Sequence, residues 1–267
     1  MAPKPAPAAP AKALYLYGIS RGRPAVRPDA VSGIDGASAV ETVSCGGLLC
    51  WISRVERGEY AERLEQNMQN LDWLAGASVR HQKVVGALAQ QLDLLPTRFG
   101  SVFLSHASLR KHVQEQKSFV NATLRRLAGT EEWGVKVFSE VGPNAAPVQA
   151  QSGADYLRQK STMLQQRGRA LPVEIDAFAE ALRDVSVDAV AGPRAGQPGL
   201  LWQGAYLVRR TEARRFQAVL QRFAGRLGGA RIESTGPWPP YSFVNEPRTS
   251  PNGSGKKASR STRQSGR

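Results

Sequence analysis

Hydrophobic positions along the chain first recur with the period of strands, and then with that of helices. Ala13–Ser20 (ALYLYGIS) is an almost unbroken apolar and aromatic run closed by turn residues, and Gly46–Val55 (GGLLCWISRV) is a second. Both predict strands. From Leu64 the spacing changes: Leu64, Met68, Leu71, Leu74 and Ala75 recur at steps of three and four. Beyond a weak point at Gly76 the pattern resumes through His81, Val84, Val85 and Leu88, which predicts two helices or one bent helix. Leu94–Phe103 (LLPTRFGSVF) predicts a strand with Leu95, Phe99 and Phe103 on one face and Leu94, Gly100 and Val102 on the other. Ser105 or Ser108 then stands where it can cap a helix carrying Leu109, Val113, Val120, Leu124 and Leu127 on one stripe, with Gly129 as its stop.

The second half repeats the alternation in a readable order. Trp133–Phe138 alternates as a strand; Tyr156, Leu157, Lys160, Met163 and Leu164 begin a helix that pauses at Pro172 and resumes through Ile175, Phe178, Leu182 and Val185. Val185–Val190 and Leu200–Arg210 read as two strands around a Gly/Pro turn. Thr211 is placed to cap a helix with Phe216, Val219, Leu220, Phe223 and Leu227 inward, and Ala230–Thr235 supplies a last strand. The order is β-α-β-β-α-β, the split-βαβ arrangement of a ferredoxin-like domain. The fold class expected is therefore α+β in two domains: a mixed α+β domain over residues 13–130 and a ferredoxin-like domain over 131–245.

Charge changes the picture mainly at the ends. The 36 Lys+Arg against 22 Asp+Glu leave a formal +14, which points to a nucleic acid, an acidic surface or an acidic partner. Residues 246–267 hold six basic side chains against Glu246, and residues 1–12 are rich in Pro and Ala. Neither segment carries the apolar residues needed to offset ordering entropy, so both are expected to be disordered tails. No apolar stretch reaches the length of a membrane span and the start lacks a signal-peptide core, which predicts a cytoplasmic protein with no membrane partner. Cys45 and Cys50 suggest buried thiols in a reducing compartment.

The stretch of most unusual chemistry is Gly236–Val244 (GPWPPYSFV). Pro237, Pro239 and Pro240 cannot donate to a ladder, so the last strand should end near Thr235. Each proline also keeps its predecessor extended, and a three-residue polyproline turn would set Trp238 and Tyr241 on one side as a rigid clip. Such a clip either seals the junction between domains by burying Trp238, Tyr241 and Phe243, or presents them to a partner. Arg98 poses a similar choice. In a central strand it must be paired, with Glu131, Glu132 or Glu140 as candidates, or it contacts a partner.

Other motifs carry less. His81, His106 and His112 have no metal-ligand spacing, and His81 lies on an apolar helical stripe, as a packed core residue does. Glu56, Glu59, Glu62 and Glu65 form a solvated acidic row near a helix start, where Arg54, Arg57 and Arg63 can pair with them. Gly253–Lys257 lacks the first Gly and the final Ser/Thr of a phosphate loop. No nucleophile elbow, acid/base pair or dinucleotide fingerprint is present, so neither enzymatic activity nor a cofactor or metal is expected.

Taken together, LLPTRFGSVF, ADYLRQK (Ala154–Lys160), GAYLVRR (Gly204–Arg210) and GPWPPYSFV, in this order, resemble the GvpL/GvpF family of gas vesicle accessory proteins over roughly Leu14 to Val244. Thr97 departs from the apolar residue usual there. The resemblance implies a non-enzymatic two-domain α+β protein that acts in gas vesicle assembly. Its implied partners are the hydrophobic shell protein and other accessory proteins of the vesicle. Candidate partner-binding residues are Arg98, Phe99, Trp238, Pro239, Pro240 and Tyr241. The alternative reading is a basic nucleic-acid-binding protein with an RRM-like domain, because RFGSVF approaches an RNP1 strand. Arg98, Ser101 and Leu104 stand where that motif needs its glycine and stacking aromatics, so no specific nucleic acid is expected.

Overall fold

A computed structural model describes residues 11–22, 31–140, 171–192 and 197–244. The expected helix through Tyr156 and Leu164, the expected C-terminal tail and all but the last two residues of the N-terminal one lie outside the described residues. The fold is mixed α+β, built on two antiparallel sheets.

The first sheet has the order β2-β3-β1-β4, formed by β1 (Lys12–Arg21), β2 (Glu41–Cys45), β3 (Leu48–Glu56) and β4 (Leu94–Pro96), with β5 (Val102–Phe103) also pairing β1. The unbroken apolar run of β1 has a plain cause: both faces of this sheet are covered. Leu14, Leu16 and Ile19 pack with Cys50, Ile52 and the helices α3 (His106–Glu115) and α4 (Lys117–Arg126). Ala13, Tyr15 and Tyr17 pack on the other side with Trp51, Val55 and helix α2 (Leu71–Gln91). Cys45 and Cys50 are free, buried thiols.

The helices follow the periodicity but break elsewhere than expected. α1 (Leu64–Gln69) ends at Asn70, whose side chain accepts from the N–H groups of Asp72 and Trp73 and so starts α2. That local bond favours a cap over a continued helix, and Gly76 lies inside α2 without breaking it. The expected inward stripe shifts with the break. Met68 and Leu71 are 42% and 79% exposed, and the buried face of α2 is Ala77, His81, Val84, Val85 and Leu88. The stripe from Leu109 to Leu127 is buried throughout, yet it belongs to two helices divided at Gln116. Ser105 caps the first in a capping box with Ser108.

The expected single strand Leu94–Phe103 is two short ones. Both lie against β1, and residues 97–101 leave the sheet between them. Their polar groups are satisfied on β1: Thr97 donates its N–H to Tyr17 O (3.0 Å) and its hydroxyl to Leu16 O (2.6 Å), while Leu16 N–H donates to Ser101 O (2.8 Å). The excursion changes which side Phe99 takes, so it packs with Leu94 and Val102 and not with Leu95 and Phe103.

The second sheet has the order β7-β8-β6-β9, from β6 (Thr130–Ser139), β7 (Asp188–Ala191), β8 (Leu200–Arg209) and β9 (Ala230–Trp238), with every pairing antiparallel. Residues 171–183, which include Pro172, are helical and belong to α5, and Ala213–Phe223 is α6. Together they complete the β-α-β-β-α-β order among the described residues. Thr211 does not cap α6. A 3-10 turn, Arg210–Glu212, precedes it, and Glu212 takes the N-cap position without a side-chain bond. Both helices cover one face of the sheet, where Phe178, Leu182, Phe216 and Leu220 meet Val135, Val137, Trp202 and Tyr206. On the opposite face Leu207 enters the core of the first sheet. The second sheet thus meets the first sheet's core, which includes the α3 and α4 layer, through Leu207 and Ala205.

Candidate functional site

β9 runs on past Thr235, where the prolines were expected to end it. It is an edge strand, so the missing N–H of Pro237 leaves no ladder bond unmade on the outer side. The register passes from Gly134↔Thr235 to Glu132↔Trp238, so Gly236 and Pro237, joined by a cis peptide bond, bulge opposite Trp133. Gly236 has φ +132°, and a Cβ there would stand 2.8 Å from Glu132 O. Only glycine suits the position.

Beyond Trp238 the chain turns inward. Pro239 and Pro240 are buried, and a 3-10 turn, Tyr241–Phe243, follows. The turn separates the two aromatics expected on one side. Trp238 stays outside at 47% exposure, whereas Tyr241 faces α2 and Phe243 is fully buried in the core under the first sheet. The residues of the clip thus part: Tyr241 and Phe243 pack into the cores of the first sheet, and Trp238 is exposed.

Three side chains from three elements hold this turn. Glu132 of β6 accepts from Ser242 N–H at 2.8 Å and from its hydroxyl at 2.7 Å. Burial pushes the Glu132 carboxyl up from the usual range, and the two Ser242 bonds pull it back. Arg126 of α4 donates to Phe243 O and pairs with Asp188 at 3.2 Å. His81 of α2 lies 3.0 Å from Tyr15 Oη through Nδ1 and 3.0 Å from Tyr241 Oη through Nε2. Tyr15 Oη already accepts from Gly100 N–H, so its own proton goes to His81 Nδ1 and His81 Nε2–H donates to Tyr241. Burial holds the imidazole neutral by lowering its pKa to about 4. It also pushes the Tyr15 and Tyr241 hydroxyls well above the ordinary phenol value. The expectation of His81 as a packed core residue was correct but incomplete: it ties the loop 97–101, β1, α2 and the C-terminal turn together.

Arg98 is not in a strand. It occupies the tip of the 97–101 excursion, exposed, with no ion pair among the described residues, and Glu132 is engaged with Ser242. The problem of a buried charge does not arise. Phe99 is half-buried, edge-on to Tyr15, Trp73 and His81. Arg98 and Phe99 therefore do not join Trp238 in one patch. RFGSVF belongs to the first sheet and includes only a two-residue strand, so it is not the RNP1 strand of a ferredoxin-like sheet. Trp238 instead lines a cleft of about 290 Å³ with Gly86, Ala89 and Gln90 of α2, Leu94 and Arg210. Sequence reasoning missed Glu132 and Arg126 as holders of the turn. No local signal marks them, because their partners lie more than a hundred positions away.

Among the described residues no His/Cys/Asp/Glu grouping could hold a metal ion, and no helix is long and apolar enough to cross a membrane. Comparison with known proteins places this architecture. The profile of the family "Gas vesicle synthesis protein GvpL/GvpF" matches residues 13–245. Gas vesicle protein L of Streptomyces sp. is 31% identical over 253 residues, covering 86% of this chain and 92% of that protein. Gas vesicle protein F2 of Halobacterium salinarum is 25% identical, covering 87% and 92%. The crystal structure of GvpF from Anabaena sp. PCC7120 superposes with a TM-score of 0.65 at 19% identity, over 88% of this chain and 97% of that one. That likeness shows the fold alone. The match over nearly the whole described length makes the chain a member of the GvpL/GvpF family of gas vesicle proteins.

Proposed function

We propose that the chain is a non-enzymatic cytoplasmic accessory protein of gas vesicle assembly that binds the hydrophobic shell protein and other accessory proteins during nucleation or growth. In this reading residues 13–130 and 131–245 act as two modules, and the ribbon Trp238–Tyr241 closes them. Family membership over residues 13–245 carries the assignment. A shell subunit able to line a gas space exposes an apolar face before it is incorporated, and that face aggregates in water unless covered. Trp238, half-exposed at the lip of a cleft while its neighbours Pro239 and Pro240 are buried, is the preorganised apolar anchor that such a partner would meet. Arg98 and Phe99, on the loop tied to the same turn through Tyr15 and His81, form a second, separate contact.

Capture of co-expressed shell protein by the full chain and by Trp238→Ala tests the reading. The expected result is capture by the parent and its loss in the variant, with an unchanged circular dichroism spectrum. No capture by the parent, together with normal buoyant vesicles in cells lacking the gene, would refute the assignment. Capture unaffected by the variant would remove Trp238 from it.

A further inference from the structure

The two helices on the outer face of the second sheet carry opposite charge. On α5 and just beyond it, Glu174, Asp176, Glu180 and Asp184 are exposed, with Arg183 the one basic residue among them. On α6 and its following turn, Arg214, Arg215, Arg222 and Arg226 are exposed. Arg215 meets Glu212 at 3.6 Å, and the remaining carboxylates and guanidiniums of the two sets have no ion pair among the described residues. The helices lie side by side, with the Phe178 and Phe223 rings 5.2 Å apart beneath them. Yet neither stripe neutralises the other. Each turns its charges outward, away from the sheet.

The topology sets these charges at matching heights. β7 begins at Asp188, opposite Leu207, and α6 begins after the turn that follows Arg209. The C-terminal end of α5 and the N-terminal end of α6 therefore share one edge of the sheet, and the helices run antiparallel. With the Phe178 and Phe223 rings side by side, the antiparallel register sets Glu180 level with Arg222 and Asp176 level with Arg226, and Asp184 lies toward Arg214.

We propose that this helical face is a self-complementary docking surface for a second copy of the chain, closed by a twofold axis that runs between α5 and α6 and parallel to them. Rotation about that axis keeps every height and exchanges left for right. It lays the acidic helix of each copy on the basic helix of the other, antiparallel, and both halves of the contact are satisfied at once. An axis across the helices would set like charges together, so the pattern selects one arrangement. The exposed Ala177 and Ala218 let the helices approach, and Val173, 68% exposed, gives the contact an apolar element. Charge fixes orientation and partner here more than strength, so the association depends on salt.

Sedimentation velocity of the full chain tests this. The expected result is a dimer at low ionic strength that dissociates as salt is raised. R214E/R222E cancels the positive charge of the α6 set, E174R/E180R reverses the sign of the α5 set, each puts like charges into the contact, and each is expected to weaken self-association by about tenfold or more. An equimolar mixture of the two variants is expected to recover the dimer, because the reversed charges at positions 180 and 222 again face one another with opposite sign. Circular dichroism confirms folding, and the milder R222Q and E180Q give the same direction if a reversal does not fold. A parent that stays monomeric at low salt, a dimer that both reversed variants retain, or a mixture that fails to associate overturns the proposal.

Discussion

His81 Nε2 stands 3.0 Å from Tyr241 Oη, a bond across 160 positions of chain that joins the first sheet's helix to the last described turn. Tyr241→Phe keeps the ring and removes the hydroxyl, leaving His81 Nε2–H without an acceptor in a buried site. The expected cost is about 1–3 kcal/mol. Urea unfolding read by circular dichroism checks it, with His81→Leu in the Tyr241→Phe background expected to cost less than the sum of the two changes.

The same histidine sets a pH dependence. Its pKa lies at about 4 in the folded chain against an ordinary 6.5. The unfolded chain therefore binds the extra proton first. The stability that neutral His81 supports is complete above pH 6.5 and is lost as pH falls from there toward 4, by on the order of 3 kcal/mol in all. Glu132 has the opposite sign: its raised pKa contributes stability that is present in acid and is lost as pH rises through the folded value. Stability measured against pH should flatten between 6.5 and 4 in His81→Leu and steepen in Glu132→Gln.

Phe243 is fully buried and lies in the core under the first sheet with Leu124, Leu207 and Leu127. Phe243→Ala leaves a cavity where Leu207 of the second sheet enters the first sheet's core, with an expected loss of about 3–5 kcal/mol in chemical denaturation. Because Leu207 of the second sheet borders the same space, amide exchange is expected to rise in β8 as well as in α4.

Gly236→Ala should destabilise by about 1–3 kcal/mol, since its φ of +132° is foreign to L side chains and its new Cβ would meet Glu132 O at 2.8 Å. Gly228, with open space around it, is the control. Differential scanning calorimetry should show a lower melting temperature for the Gly236 variant and little change for Gly228→Ala.

Periodicity was legible where one kind of neighbour covers an element. The run Ala13–Ser20 read as a strand because apolar layers cover both faces of β1. The β-α-β-β-α-β order was legible because its described helices keep a strict buried stripe, as Phe216, Val219 and Leu220 show. What escaped depended on bonds between distant residues. Thr97 satisfies both its N–H and its hydroxyl on β1, so a stretch with strand propensity leaves the ladder there and Arg98 is carried into solvent. Pro237 was taken to end β9, but whether a proline breaks a ladder depends on which side of the strand is free, and that is a property of the sheet. Trp238 and Tyr241 share a motif and part company because the 3-10 turn is held by His81, Glu132 and Arg126.

Phe243 fills a hole in a layer whose other members begin at Leu14. During synthesis that layer lacks its last members until nearly all of the described sequence has been made. Its members from Leu14 to Leu127 can gather first, and Leu207 and Phe243 complete the layer last, so the order of synthesis makes the final seal the latest part of the fold.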